Sequence, residues 1–279
     1  MRRRILIVLA AGLACAIGAA TAASAGGPSP GVSQGANGIV TGNERYVAVP
    51  AGASTSVEAL TRNGGGILRV MKIKGQWGIP LVDFHGTTEG LLPDGRTLLL
   101  AQSVFNGDSL RKNTSFKLVD VKRMKLRSTV RIRGAFAFDA ISPDARYLYL
   151  VEYVSPEDPG LYRVRAYDLN RSRLLAKIVA DRRSWETGMT GSPVSRTWKD
   201  GWAYTLYGGN ARPFIHALNT RGVEAVCINM PWKTSPKRLF DFRLRSDGDG
   251  HVVVRGPNGR SLVVIDRKTF RIVSAVKNP

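Results

Sequence analysis

The chain has 279 residues, with 41 Lys and Arg against 21 Asp and Glu and a formal net charge of +20. Apolar side chains make up 43% and only two are cysteine, which excludes both a disordered polyelectrolyte and a disulfide-stapled miniprotein. The length suffices for one sizeable hydrophobic core.

The first 25 residues read as a secretion signal. Arg2, Arg3 and Arg4 precede an apolar run from Ile5 to Leu13, and Ala23-Ser24-Ala25 offers a small-x-small cleavage site. A retained membrane anchor is the alternative, but the second half of the segment is Ala, Gly, Thr and Ser, weakly apolar for a span. Cys15 lacks the upstream aliphatic residue of a lipidation site. Cleavage leaves Cys227 alone, in an alternating run where it reads as a small hydrophobe. The expected location is therefore extracytoplasmic. Outside the membrane the counter-charge would be anionic lipid, wall polymer or glycan and not nucleic acid, while the scatter of the basic residues over turns and strand faces fits general solubility and argues against a dedicated polyanion groove.

Residues 26–42 are rich in Gly, Pro and Ser and are expected to form a flexible leader. From residue 43 onward, short alternating strands follow one another with turn residues every 8 to 12 positions and no clear helix. A polar turn recurs before a strand at Pro93-Asp94-Gly95-Arg96, Pro143-Asp144-Ala145-Arg146, Lys199-Asp200-Gly201-Trp202 and Ser246-Asp247-Gly248, with its aspartates 50, 56 and 47 residues apart. A second phrase, a strand closing on Asp120, Asp168, Asn219 or Asp266, recurs at 48, 51 and 47 residues. Two registers advancing in parallel at about 50 residues imply a stack of like supersecondary units.

One unit divides into strands at 97–103, 115–121, 125–132 and 135–142, and five units can be recognised, the last lacking one strand. An all-β radial array of about five four-stranded sheets is thus predicted, closed by a strand from Asn37 to Thr41 that supplies the missing member of the last sheet. The array occupies residues 43–279 as one domain. The recurring aspartates are expected to staple turns through bonds to backbone N–H groups two residues on.

The Asp-Gly-Arg strands paired with Val-x-Asp hairpins resemble bacterial YVTN-type or WD40-like β-propeller repeat proteins over residues 43 to 279. The segment Phe136 to Asp144 with Tyr162 to Asp168 is similar, more narrowly, to uncharacterised exported propellers of high-GC Gram-positive bacteria. Ala145 departs from the turn glycine, and the Trp-Asp dipeptide of WD40 blades is absent. The resemblance implies a fold; its relatives include binding scaffolds and some enzymes.

His85, His216 and His251 fall on different strands of their units, and no metal-ligand spacing, nucleophile elbow or phosphate-binding glycine loop occurs. No catalytic residue, metal or cofactor is assigned. Trp77, Trp185, Trp198, Trp202 and Trp232 fall near unit junctions and read as packing residues that could also stack on a sugar. The innermost strands should meet at a central funnel, placing Glu89, Asp139, Arg196 (with Ser195), Asp241 and Arg243 at equivalent inner positions as ligand-binding candidates. Three functions fit: a non-enzymatic binding or scaffold module acting as a monomer on an envelope protein or an anionic glycan, a hydrolase or lyase using a channel-bound cation, and a sensory ectodomain.

Overall fold

A computed structural model of the protein describes residues 28–35, 37–183, 188–208 and 212–279. The expected secretion signal, Cys15 and Trp185 lie outside the described residues. Five larger sheets follow one another along the chain, all built from antiparallel neighbours in sequence. Sheet I comprises Ile39–Thr41, Glu44–Ala51, Ser54–Thr61 and Ile67–Lys74. Sheet II comprises Thr97–Ala101, Asn113–Asp120 and Lys125–Arg133. Sheet III comprises Phe136–Ile141, Tyr147–Tyr153, Tyr162–Asp168 and Arg173–Val179. Sheet IV comprises Ser192–Lys199, Trp202–Gly208, Phe214–Asn219 and Glu224–Asn229. Sheet V comprises Arg243–Ser246, His251–Arg255, Ser261–Asp266 and Ile272–Ala275. One short helix, Pro236–Leu239, precedes sheet V.

The strands group one step out of phase with the sequence expectation. In sheets III, IV and V the polar turn links the first and second strands: Ile141 pairs with Leu148 across the Pro143-Asp144 turn, Lys199 with Trp202 across Asp200-Gly201, and Ser246 with Val252 across Asp247-Gly248. A tight antiparallel turn of this kind can only join direct neighbours. Residues 135–142, expected as the last strand of sheet II, therefore form the first strand of sheet III.

The same shift gives sheet V its own first strand, Arg243–Ser246, so no strand is missing there. The predicted closing strand is corrected accordingly: Ile39–Thr41 pairs with Glu44, Arg45 and Tyr46 in sheet I. The leader is not a free tail from residue 28 onward. Val32 and Ser33 pair with Pro80 and Ile79, and Gly35 donates its N–H to Ala48 O at 2.7 Å.

The middle strands read as continuous apolar runs because sheets cover both of their faces. All five residues of Thr97–Ala101 are buried. Apolar clusters lie between consecutive sheets: Tyr46 and Val57 against Leu98 and Val119, Leu99 and Phe116 against Phe138 and Leu150, Tyr149 and Val164 against Ala203 and Leu218, Leu206 and Ile215 against Val252 and Val263. Burying each such side chain contributes about 1.5–3 kcal/mol before entropy is counted, so these seams hold the sheets together.

Sheet II differs on its inner side. Gly78 bridges to Ala101 and Leu91 to Leu98, and between these two points the chain leaves the sheet. This cross-loop folds back on itself through a Leu81–Thr88 bridge and a turn at Asp83. It reaches sheet IV, where Phe84 donates its N–H to Pro193 O at 2.9 Å, and its Phe84 ring packs edge-on against Phe240 at 5.8 Å.

Candidate functional site

The cross-loop and the inner strands of sheets III and IV build one polar centre. Asp139 is the extra residue of a bulge in Phe136–Ile141, between the paired Phe138 and Ala140. A bulge re-aims its side chain, and here an acidic group is sent inward from an apolar strand. Arg196 meets it from sheet IV. Its guanidinium contacts the Asp139 carboxylate, donates through Nη1 to the Asp139 carbonyl at 2.6 Å and through Nε to Thr205 Oγ1 at 2.9 Å. Nη1 also lies 3.4 Å from Glu89 Oε2, which the return arm of the cross-loop supplies.

Asp83 completes the centre. Its carboxylate accepts from the backbone N–H groups of Arg196 at 2.9 Å, His85 at 3.1 Å and Thr87 at 3.0 Å. The loop is thereby fastened to sheet IV by a side chain that sequence reasoning passed over. The available signal was the phrase Leu81-Val82-Asp83, which repeats the strand-ending Leu118-Val119-Asp120.

The electrostatics follow from burial. The Arg196 side chain is 2% exposed. Burial works against its charge, but the carboxylates of Asp139 and Glu89 outweigh it and raise its pKa. Burial raises the pKa of Glu89, opposed by Arg196 and by the indole N–H of Trp198, which donates to Glu89 Oε1 at 2.6 Å. One oxygen of Asp139, Oδ2, is buried with no hydrogen-bond partner. Two carboxylates thus engage one guanidinium, with a third, Asp83, on the Arg196 backbone: an acidic centre inside a strongly basic protein.

Above Glu89 lies a pocket of about 440 Å³, lined by Ile39, Leu91, Phe138, Ile141 and Trp198 among others. Pro93, Pro143 and Gly201, from three of the four recurring polar turns, also line it. Glu89 is 16% exposed there and Trp198 38% exposed. The volume is that of a small-molecule site, mostly apolar with one charged group.

Of the residues expected to converge, Glu89, Asp139 and Arg196 do so. Asp241 and Arg243 do not join them. Asp241 is exposed on the segment after the short helix, its N–H donated to Arg238 O at 3.1 Å. Arg243 is exposed and lies 2.5 Å from His85 Nε2, which is itself 2.7 Å from Phe240 O. The bulge between Pro193 and Ser195 sends the Ser195 hydroxyl toward sheet V, where it accepts from Leu244 N at 2.9 Å. Trp77 and Trp232 are buried and Trp202 packs on Phe270 at 4.8 Å, so among the described tryptophans Trp198 offers the most open ring. His216 lies buried in sheet IV, its pKa pushed down to about 4 by desolvation.

The chain matches no family model and no curated protein. Among solved structures it is similar to dihydro-heme d1 dehydrogenase NirN in complex with DHE, at 16% identity and a TM-score of 0.50 over 84% of this chain. The fold is a β-propeller. It spans 44% of the NirN chain, and at this identity the likeness carries the fold alone. TolB from Acinetobacter baumannii aligns over 78% of this propeller and 50% of its own chain at 11% identity and a TM-score of 0.43. BamB from Moraxella catarrhalis aligns over 84% and 64% at 16% identity and a TM-score of 0.38. Among the described residues of the propeller, no helix is long and apolar enough to cross a membrane.

Proposed function

We propose that this protein is an exported, non-enzymatic binding module of the cell envelope, with its ligand seat in the pocket at Glu89 and Trp198. The pocket itself carries the reading: a single charged group and an open indole, held by a buried guanidinium network, face a cavity of ligand size. A hydrolase or lyase with a cation in the channel fits less well. That chemistry requires Glu89 and Asp139 to share a metal, and the Arg196 guanidinium stands between them and engages both.

The envelope partner meets the rim in this reading. The outer strands Ile67–Lys74, Lys125–Arg133 and Arg173–Val179 carry three, four and two Lys or Arg and no acidic residue. The outer strands of sheets IV and V, Glu224–Asn229 and Ile272–Ala275, carry none. Lysine protects exposed sheet edges, but edge protection would apply to all five sheets alike. The one-sided bias supports an anionic glycan or an acidic protein surface as partner.

The test is retention of the purified protein on acidic wall polymer at low and high salt, beside a variant with Lys72, Lys125, Arg131 and Arg133 changed to Gln. Retention lost with both salt and the substitutions is expected, because exposed charge pairs are screened over about 10 Å at 0.1 M salt. Equal retention of the variant would exclude the rim as the docking surface.

A further inference from the structure

We infer that the pocket at Glu89 selects a small organic monocation, an ammonium group carried on an apolar body. This rests on the reading of that pocket as the ligand seat and adds the class of ligand.

Three observations point to it. First, among the described residues the only carboxylate lining the pocket is Glu89, and the walls around it are Ile39, Leu91, Phe138, Ile141 and two prolines. An apolar body fills such walls, and one charged head satisfies one carboxylate. Second, the charge behind Glu89 is not balanced. Among the described residues, Glu89 and Asp139 share the Arg196 guanidinium as their one cation, Asp83 lies on the Arg196 backbone N–H, and Asp139 Oδ2 accepts no hydrogen bond. The net charge of the protein is +20, so a cation would be repelled from most of its surface and drawn to this centre. An anion entering the pocket would meet Glu89 directly.

Third, Trp198 is oriented by its own bond to Glu89, with its Nε1 donating at 2.6 Å and the ring 38% exposed. An indole fixed beside a carboxylate presents both attractions that an ammonium takes up, the ring face and the charged oxygen. A divalent metal is a poorer fit. It takes several oxygen ligands, and the second carboxylate, Asp139, is turned onto Arg196 with its side chain 2% exposed.

The experiment is calorimetric titration of the full protein with three probes of one shape: benzylamine, benzyl alcohol and benzoate. Benzylamine is expected to bind at least about tenfold more tightly than benzyl alcohol, the difference one charge-assisted hydrogen bond makes, with no binding of benzoate. Glu89→Gln should erase the preference for the amine over the alcohol. Trp198→Leu should weaken both.

Equal affinity for the amine and the alcohol, or an amine preference that survives Glu89→Gln, would overturn the monocation and leave the pocket standing as a ligand seat. Failure of all three probes to bind would overturn the ligand seat together with the monocation. A melting curve of each variant guards against loss of fold, and Glu89→Asp, which keeps the charge, should retain the amine preference if Gln disturbs folding.

Discussion

Ala145 occupies the place that Gly95 holds in the preceding repeat, and both adopt left-handed backbone, with φ of 56° and 61°. A non-glycine residue there costs about 1–2 kcal/mol from contact of Cβ with the next carbonyl. Glycine gives back about 0.5–1 kcal/mol through the greater freedom of the unfolded chain. Ala145→Gly should therefore stabilise the protein by about 0.5–1 kcal/mol, read as a rise in the urea midpoint without a change in slope. The recurring aspartates work on the same scale. Asp94 Oδ1 accepts from the N–H groups of Arg96 and Thr97, both at 2.8 Å, and Oδ2 accepts from Thr97 Oγ1 at 2.6 Å. Asp94→Ala should lose about 1–2 kcal/mol, since two backbone donors lose their partner. Asp94→Asn keeps one acceptor oxygen and should lose less; equal losses would mean that charge, and not hydrogen bonding, holds the turn. Asp120, Asp168, Asn219 and Asp266 accept in the same way from N–H groups two or three residues on. Their repetition is explained by the turn they close.

Arg196 belongs to the scale of elements, because it ties the cross-loop to the first strands of sheets III and IV. Removing it would leave Glu89 and Asp139 facing each other without a counter-charge. Arg196→Ala should cost on the order of 3–5 kcal/mol at neutral pH, the range for breaking one side of a buried ion pair. The sign of its pH dependence follows from the carboxylates. Burial already raises the pKa of Glu89 and Arg196 opposes this, so without the guanidinium the Glu89 pKa rises further, the folded variant binds more protons than the unfolded chain as pH falls, and acid stabilises it relative to the parent. Denaturation midpoints at pH 7 and pH 5 check this: the deficit should shrink at pH 5. A deficit that stays constant would mean that Arg196 acts through packing alone. Local sequence marked these residues as inner ones but showed neither the bulge nor the ion pairs. Asp139 points inward because of a bulge, and a bulge is set by how two strands pair; the apolar run Phe136 to Ile141 carries no mark of it.

At the scale of the whole molecule, the period of about 50 residues and the alternation of apolar and turn residues determined that like sheets stack, because each sheet has apolar faces that only a neighbour can cover. The inner positions of Glu89, Asp139 and Arg196 were also legible, as residues running into the polar turns. Phase was not. The same set of strands can be cut into groups of four at different points, and both cuts satisfy the repeat. Pairing across the four-residue turns chose between them, moved Ile39–Thr41 from the last sheet to the first, and gave sheet V its full complement. Tertiary structure also decided that Asp241 and Arg243 stay apart from the acidic centre, both exposed at the start of sheet V. It gathered basic residues that look scattered along the chain onto the outer strands of three sheets. A 50-residue repeat places equivalent positions side by side only once the sheets have stacked. Sequence thus determined what repeats; the fold determined which residues meet, because the cross-loop and the strand bulges are settled by contacts between segments far apart in the chain.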